Sequence, residues 1–361
     1  MTVLTILPPR ESYSSNSAGA ISLLVSRLAF PGDVVLGGPV DGAPLSGGSF
    51  RPIHDLGRAW HWLSHSARYQ LSCQCVARRL RPSLIEVHNK PQLALAMSRF
   101  APVQLILHND PQEMRGARSP REREKLLSKL HVITVSDWLR RRFLEDIDAA
   151  PVTVMPNCID LAGLPPRAEP RAREILFVGR IVADKGVDAF VRAWGNVGRR
   201  LPGWSASMIG ADRFQKNAPR TAFVSAVERE ADVAGVAHWG YQPYEVVLQA
   251  MARASIVVVP SRWLEPFGLT ALEAMASGAA VIASRNGGLP EVVGDAALHA
   301  NPDVPDQLEN AILHLASNDS ERKALSERGL VRARQFDVIM ARQRLNFIRT
   351  QTMELSRRSH R

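Results

Sequence analysis

The sequence predicts an α/β protein made of two doubly wound parallel-sheet domains with a cleft between them. Three observations carry this expectation. The chain has 361 residues, more than one hydrophobic core usually organises. Short apolar runs alternate with helical patterns along both halves, as in a parallel sheet covered on both faces. Between the halves, residues 162–173 (AGLPPRAEPRAR) break the alternation with three prolines and three arginines, which reads as a linker.

In the first half, residues 3–7, 34–36, 84–87, 105–107, 132–135 and 152–155 read as strands, being short and nearly all apolar. Residues 20–30, a stretch within 55–80, 92–100, 121–130 and 137–145 read as helices. In the second half, strands are expected at 175–178, 206–209, 236–239, 256–259 and 280–282, with long helical patterns after Val304 and Ser320. The expected division is a first domain at 1–165, a second at 166–336, and a last helix with a basic tail at 337–361. Open sheets of this kind bind ligands beyond the carboxyl ends of their strands.

Composition narrows the function classes. A hydrophobic content of 45% supports a globular protein. No apolar run reaches the ~18–20 residues that cross a bilayer. The opening MTVLTILPPRE has no basic n-region and too short an apolar run for a secretion signal, so a cytosolic location is expected. Cys73, Cys75 and Cys158 are too few for a disulfide scaffold. Cys73 and Cys75 stand two apart in a predicted helix, where side chains diverge, so buried free thiols and no metal are expected.

The net charge of +10 is unevenly spread. Residues 1–165 hold 19 basic and 14 acidic side chains, 166–341 hold 20 of each, and 342–361 hold 6 and 1. No zinc-finger spacing, RNA-recognition signature or recognition-helix pattern accompanies the excess, so nucleic acid is not an expected partner. An anionic membrane surface, an acidic substrate and an Arg-rich solvated surface are the readings of it.

The most informative segment is 260–273, PSRWLEPFGLTALE. A buried strand, IVVV, leads into it. Glu265 follows, then Pro266, Phe267 and Gly268, then a helix that carries Glu273. A helix opening there points backbone N–H groups and a positive dipole end into the cleft, which suits phosphate. A carboxylate beside phosphate is repelled by it, and accepts hydrogen bonds from hydroxyls instead. Ribose and sugars supply those, so the segment suggests a nucleotide-sugar site. Arg180 and Lys185 follow the strand ILFV in GRIVADKG. Fixed cations there lower the barrier to losing a diphosphate; the alternative is an ordinary surface loop.

Other strand ends add weaker signals. Gly19 lies in the small-residue turn SNSAGA after the first strand, where backbone N–H groups face phosphate or simply turn the chain. His108 and His88 end successive strands, in LHND and EVHN, and are placed to hydrogen-bond a sugar or phosphate, or to cap a loop. Asn157 and Asp160 in MPNCID are expected to organise the hinge. Asn286, Gly287 and Gly288 form a tight loop, either a backbone contact with nucleotide or a plain turn. Asp146 and Asp148 have the D-x-D form of metal-dependent transferases but end a polar helix, so they read as solvated.

Together these residues are similar to the family-4 glycosyltransferases, which have the GT-B fold of two Rossmann-like domains. The resemblance covers nearly the whole chain and is strongest over ILFVGRIVADKG, IVVVPSRWLEPFGLTALEAMASGAAVIAS and NGGLPEVVGD. EVHNKP and LHNDPQEMRG resemble a bacterial subgroup of lipopolysaccharide and exopolysaccharide synthesis. The resemblance implies a UDP- or GDP-linked sugar donor and a glycan or lipid-linked acceptor, with no separate cofactor and no metal. Arg180 and Lys185 would bind the donor diphosphate, Glu265 the donor sugar hydroxyls, and Glu273 the ribose. The N–H groups of Phe267, Gly268 and Leu269 would face sugar and pyrophosphate. His108 would lie by the donor sugar and Gly19 near phosphate or acceptor. Transfer would retain anomeric configuration.

Two departures stand out. Ala18-Gly19 replaces a glycine pair, and Asn157-Cys158 replaces Asn-Gly at the hinge, where cysteine tolerates positive φ poorly. The last helix, DVIMARQRLNFIRTQT, would return to the first domain and join the two basic blocks, suiting the inner face of an anionic membrane. A sugar phosphorylase or epimerase, and a non-catalytic nucleotide-sugar scaffold, are the rival readings. A nicotinamide-dependent enzyme is disfavoured because no G-x-G-x-x-G follows either domain's first strand.

Overall fold

A computed structural model describes residues 2–14, 18–53, 63–148, 151–213, 220–304 and 306–359. Part of the expected 55–80 helical stretch and residues 15–17 of the first glycine turn lie outside these. The chain divides into two compact units, one of residues 1–158 with 338–361 and one of residues 159–337.

The first unit carries β1 (Val3–Ile6), α1 (Ala20–Leu28), β2 (Val34–Gly37), β3 (Ser49–Pro52), α2 (His65–Leu80), β4 (Leu84–His88), α3 (Pro91–Met97), β5 (Val103–Leu107), α4 (Pro120–Leu127), β6 (His131–Thr134), α5 (Asp137–Leu144) and β7 (Thr153–Val154). Its sheet order is β3-β2-β1-β4-β5-β6-β7, every pairing parallel. Helix starts follow local chemistry. Ser119 and Glu122 form a reciprocal capping box at α4, with Pro120 in the first turn. Ser136 Oγ accepts from Leu139 N–H at 3.1 Å to open α5.

The second unit carries β8 (Ala172–Val178), α6 (Val187–Val197), β9 (Ser205–Ile209), α7 (Ala222–Ala234), β10 (Val236–His238), α8 (Tyr244–Arg253), β11 (Ala254–Val259), α9 (Leu269–Ala276), β12 (Ala280–Ala283), α10 (Leu289–Val293), β13 (Ala297–His299), α11 (Gln307–Ser317) and α12 (Asp319–Arg334). The sheet order is β10-β9-β8-β11-β12-β13, again all parallel. Counted within each unit, both sheets contain the 3-2-1-4-5-6 order, whose direction reverses between the first and fourth strands. That reversal lies between β1 and β4 in one unit and between β8 and β11 in the other.

Alternation along the strands separates the layers. In the first unit Leu105 and Leu107 join one core with Ile85, Val87 and Phe143. Ile106 points to the other face, with Leu24, Leu28, Ile133, Leu345 and Ile348. The last two belong to α13 (Val338–Ser359), which packs on the first unit. Arg349 of α13 is buried and bonds Glu86 at 2.7 and 2.8 Å and Asp33 at 2.9 Å.

Several expectations shift. The division falls ahead of the prolines, between 158 and 159 and between 337 and 338. The reason is backbone pairing: Ile159 N–H donates to Phe336 O at 2.9 Å, and Ile159 bridges Asp337. Cys75 is exposed while Cys73 and Cys158 are buried, because residues two apart on α2 face different ways. Asp146 and Asp148 are exposed beyond α5, as the polar helix end predicts. Cys158 is not among the described positive-φ residues, so the Asn157-Cys158 departure brings no backbone strain. Two strands carry no apolar signal in the sequence, β3 and β13. The first is a polar edge strand and the second spans only three half-buried residues.

Candidate active site

In the second unit, the loops that leave β8 and β11 sit side by side at the strand-order reversal. Residues 179–186 follow β8, and 260–268 follow β11. They touch closely where Gly186 meets Pro260: a Cβ on Gly186 would overlap the Pro260 carbonyl. Backbone N–H groups of Arg262 and Trp263 both donate to Asp184 O, at 2.8 and 2.9 Å. Arg262 then clamps the pair. Its guanidinium bonds Asp188 at 2.6 and 3.0 Å, Asp303 at 2.5 Å and Ala183 O at 2.8 Å. Burial raises the Asp188 pKa, but the hydrogen bonds and charge of Arg262 outweigh it and hold the carboxyl below its usual range.

This clamp brings two of the expected residues together. Lys185 Nζ lies 2.5 Å from Glu265 Oε1, with the side chains 18% and 10% exposed. The Lys185 ammonium also sits 4.5 Å from the centre of the Trp263 ring. Arg180 is half-buried on the same β8 loop. Phe267 is buried and meets Phe336 edge-on at 5.6 Å. Gly268 is the N-cap of α9, which has no side-chain cap, and Leu269 is its first residue. Glu273, one turn on, accepts from Tyr244 Oη at 2.8 Å. Tyr244 opens α8 and was not anticipated; nothing in its local sequence separates it from an ordinary helix start.

The loop of Asn286, Gly287 and Gly288 has a clearer task than either sequence reading gave it. Gly288 N–H donates to Glu265 O at 2.6 Å. Gly287 has φ +66°, and a Cβ there would overlap the Glu265 backbone amide and carbonyl. Asn286 Nδ2 and Ser284 Oγ both donate to Ser261 O, at 2.8 and 2.6 Å. The loop therefore fixes the backbone that carries Glu265. Gly287→Ala combines a strained φ with this overlap. It is expected to lower stability by about 2–3 kcal/mol and to displace Glu265, which thermal melting and a crystal structure of the variant would register.

In the first unit, His108 and His88 are buried and bonded to each other, Nε2 to Nδ1, at 2.8 Å, with rings nearly parallel and 5.1 Å apart. Burial, reinforced by the Arg349 charge, lowers the His88 pKa to about 3. Burial and His88 hold His108 well below its ordinary value. Asp110 is occupied structurally, capping Gln112 N–H at 2.9 Å and pairing with Arg142 at 3.0 Å. Gly19 is the N-cap of α1 in extended backbone. The Glu11 carboxylate occupies the space its Cβ would take and accepts from Ser22 N–H at 3.1 Å. In this conformation a side-chain anion, not a small-residue opening, lies at the turn where phosphate was expected. Burial raises the Glu11 pKa against these hydrogen bonds. Asp160 Oδ1 accepts from the Ala162 and Gly163 amides at 3.2 Å, a turn-forming role. Among the described residues, no three His, Cys, Asp or Glu side chains gather as a metal-ligand set.

Residues 166–332 match the family described as glycosyl transferases group 1. That span holds Arg180, Lys185, Glu265 and Glu273. The chain is 31% identical over 201 residues to a D-inositol 3-phosphate glycosyltransferase of Segniliparus rotundus, covering 52% of this chain and 44% of that one. It is 42% identical over 110 residues to O-antigen chain mannosyltransferase B of Escherichia coli, covering 30% and 29%. The chain thus spans less than half the length of these two relatives. Among solved structures, HepE of Anabaena in complex with UDP and glucose has a TM-score of 0.74 at 17% identity, covering 96% of this chain and 98% of that one. The fold is GT-B, with two parallel-sheet α/β units.

Proposed function

We propose that this protein is a retaining, family-4-like glycosyltransferase. It would move a hexose from a UDP- or GDP-linked donor to a glycan or lipid-linked acceptor in bacterial lipopolysaccharide or exopolysaccharide synthesis. The observation that carries the reading is the Lys185–Glu265 pair at the strand-order reversal of the second unit. It joins a cation suited to diphosphate with a carboxylate suited to sugar hydroxyls. The solved HepE complex, with UDP and glucose, supports a nucleotide-sugar donor, and the O-antigen relative supports the pathway class.

In this reading Arg180 and Lys185 take the charge that grows on the diphosphate as its bond to the sugar breaks. Glu265 accepts hydrogen bonds from the sugar hydroxyls, and its charge favours the oxocarbenium-like state. Glu273, oriented by Tyr244, accepts from the ribose. The N–H groups of Phe267, Gly268 and Leu269 face the sugar and pyrophosphate. His108 contacts the donor sugar, and Gly19 lies towards the acceptor. The acceptor oxygen bonds the anomeric carbon on the face the diphosphate leaves, and the acceptor proton passes to a departing phosphate oxygen. The two cations serve the leaving group, so the scheme uses no metal.

The test is incubation with labelled UDP- and GDP-hexoses and a bacterial glycan and lipid extract. Label in a larger glycan with the donor's anomeric configuration is the expected product. Release of free sugar or sugar phosphate alone, at full rate without acceptor, would favour the phosphorylase or epimerase reading. Donor binding with no turnover would favour the scaffold.

Among the described residues no helix is long and apolar enough to cross a membrane. Both basic blocks fall in the first unit, and α13 exposes Ile339, Met340 and Phe347 beside Arg342 and Arg344. We propose that the basic, partly apolar face of α13 holds the protein to the cytoplasmic face of an anionic membrane. Vesicles rich in anionic lipid should sediment it at low salt and release it at high salt; failure to sediment contradicts this.

A further inference from the structure

We propose that His88 is a positioning residue that donates from Nδ1 to His108 Nε2, so that His108 presents Nδ1–H as a hydrogen-bond donor. This rests on the reading that His108 contacts the donor sugar, and it adds which nitrogen does so and in which protonation state.

The argument starts from the shared bond. Two buried rings meet Nδ1 to Nε2 at 2.8 Å. A bond of that length between two neutral imidazoles holds one proton, donated by one ring to the lone pair of the other. Both rings are neutral across the physiological range, since burial holds both pKa values low. Only two arrangements remain. Either His88 carries its proton on Nδ1, leaving His108 with Nδ1–H, or His108 donates from Nε2 and keeps a bare Nδ1.

The surroundings of His88 choose between them. His88 lines one small cavity with Thr5, Glu86 and Arg349. The Glu86 carboxylate already accepts from Arg349 Nε and Nη2, at 2.7 and 2.8 Å, and from Thr5 Oγ1, at 2.9 Å. Asp33 is committed to Arg349 Nη1 at 2.9 Å. Both carboxylates are thus turned to Arg349, and the charge that acts on His88 is the Arg349 guanidinium in the same cavity. A cation favours a lone pair, not an N–H, on the nearby nitrogen, so the His88 proton belongs on Nδ1. The backbone keeps the pair in register, because Asn89, in left-handed conformation at φ +53°, accepts the His108 amide on Oδ1 at 2.7 Å. Asn89 and His108 follow β4 and β5, neighbouring strands of one sheet.

The consequence is chemical. A neutral His108 with Nδ1–H can donate to a sugar hydroxyl oxygen or a phosphate oxygen, and cannot act as a base through that nitrogen. Fixing the tautomer beforehand removes the need to choose one during binding.

The experiment is long-range proton–nitrogen NMR on the full chain labelled at histidine nitrogen. Nδ1–H signatures for both His88 and His108 are expected. An Nε2–H signature for His108 overturns the proposal and needs no variant to obtain. His88→Leu removes the donor, and kcat/KM for transfer is expected to fall about tenfold, the effect of one lost hydrogen bond of ordinary strength. His88→Asn keeps an N–H donor near the place of Nδ1 and should restore most of that loss. Equal losses in the two folded variants would also contradict it. If His108→Ala transfers at the wild-type rate, the role of His108 fails, whatever the tautomer proves to be.

Discussion

Replacing Glu265 by Ala should leave the protein folded and lower kcat by about 100- to 1000-fold, the range seen when one preorganised electrostatic group is removed from a transition state. The fold should survive because the Glu265 loop is held by backbone bonds that do not involve its carboxylate. Gly288 N–H reaches the Glu265 carbonyl, and the Arg262 and Trp263 amides reach Asp184. Lys185 loses its ion pair but retains the Trp263 face, so the melting temperature should move by only a few degrees. Near-wild-type turnover in a folded Glu265→Ala protein would remove the central residue from the proposed mechanism. Glu265→Gln sharpens the comparison, since it keeps the size and loses the charge.

Lys185→Ala is expected to act on binding before chemistry. The ammonium supplies charge-assisted bonds to the diphosphate, each worth roughly 1.5–3 kcal/mol, so donor affinity should fall about 10- to 100-fold. A nucleoside, which lacks the diphosphate, should bind both proteins equally. The variant also leaves Glu265 without its cation in a pocket where it is only 10% exposed. A further stability loss of about 1–3 kcal/mol is expected, smaller than for a fully buried pair because Lys185 retains some solvent contact. Calorimetric titration of nucleoside and nucleoside diphosphate separates the two effects. Unchanged diphosphate affinity would count against the assignment.

Much of this was legible because the signals were local. Four apolar residues in a row, Ile256 to Val259, announce β11, and the spacing of Glu265 and Glu273 across a glycine turn announces a strand-to-helix site. Other features depend on contacts distant in sequence. Gly287 carries no mark that its hydrogen-sized side chain is required by the backbone of Glu265, far earlier in the chain. Tyr244 becomes informative only once α8 is seen to bring its hydroxyl to Glu273. Glu11 likewise gave no warning that it fills the turn at Gly19, since the pairing closes over a loop between β1 and α1. The strand β3 escaped notice because an exposed edge strand needs no apolar alternation. The ion pair of Lys185 with Glu265 is half visible: each residue carries a local sequence signal, but their contact arises from the β8 and β11 loops being neighbours in the sheet.

The central claim is that the second unit holds a nucleotide-sugar donor through Arg180, Lys185, Glu265 and Glu273. Thermal unfolding in a panel of UDP-, GDP- and ADP-sugars tests it without knowledge of the acceptor. A donor at 100 times its dissociation constant should stabilise the protein by about 2.7 kcal/mol. The account predicts that a UDP- or GDP-sugar raises the melting temperature by several degrees and that Lys185→Ala loses most of that rise. If no nucleotide sugar shifts unfolding, or if the shift persists undiminished in Lys185→Ala, the proposed donor site is contradicted.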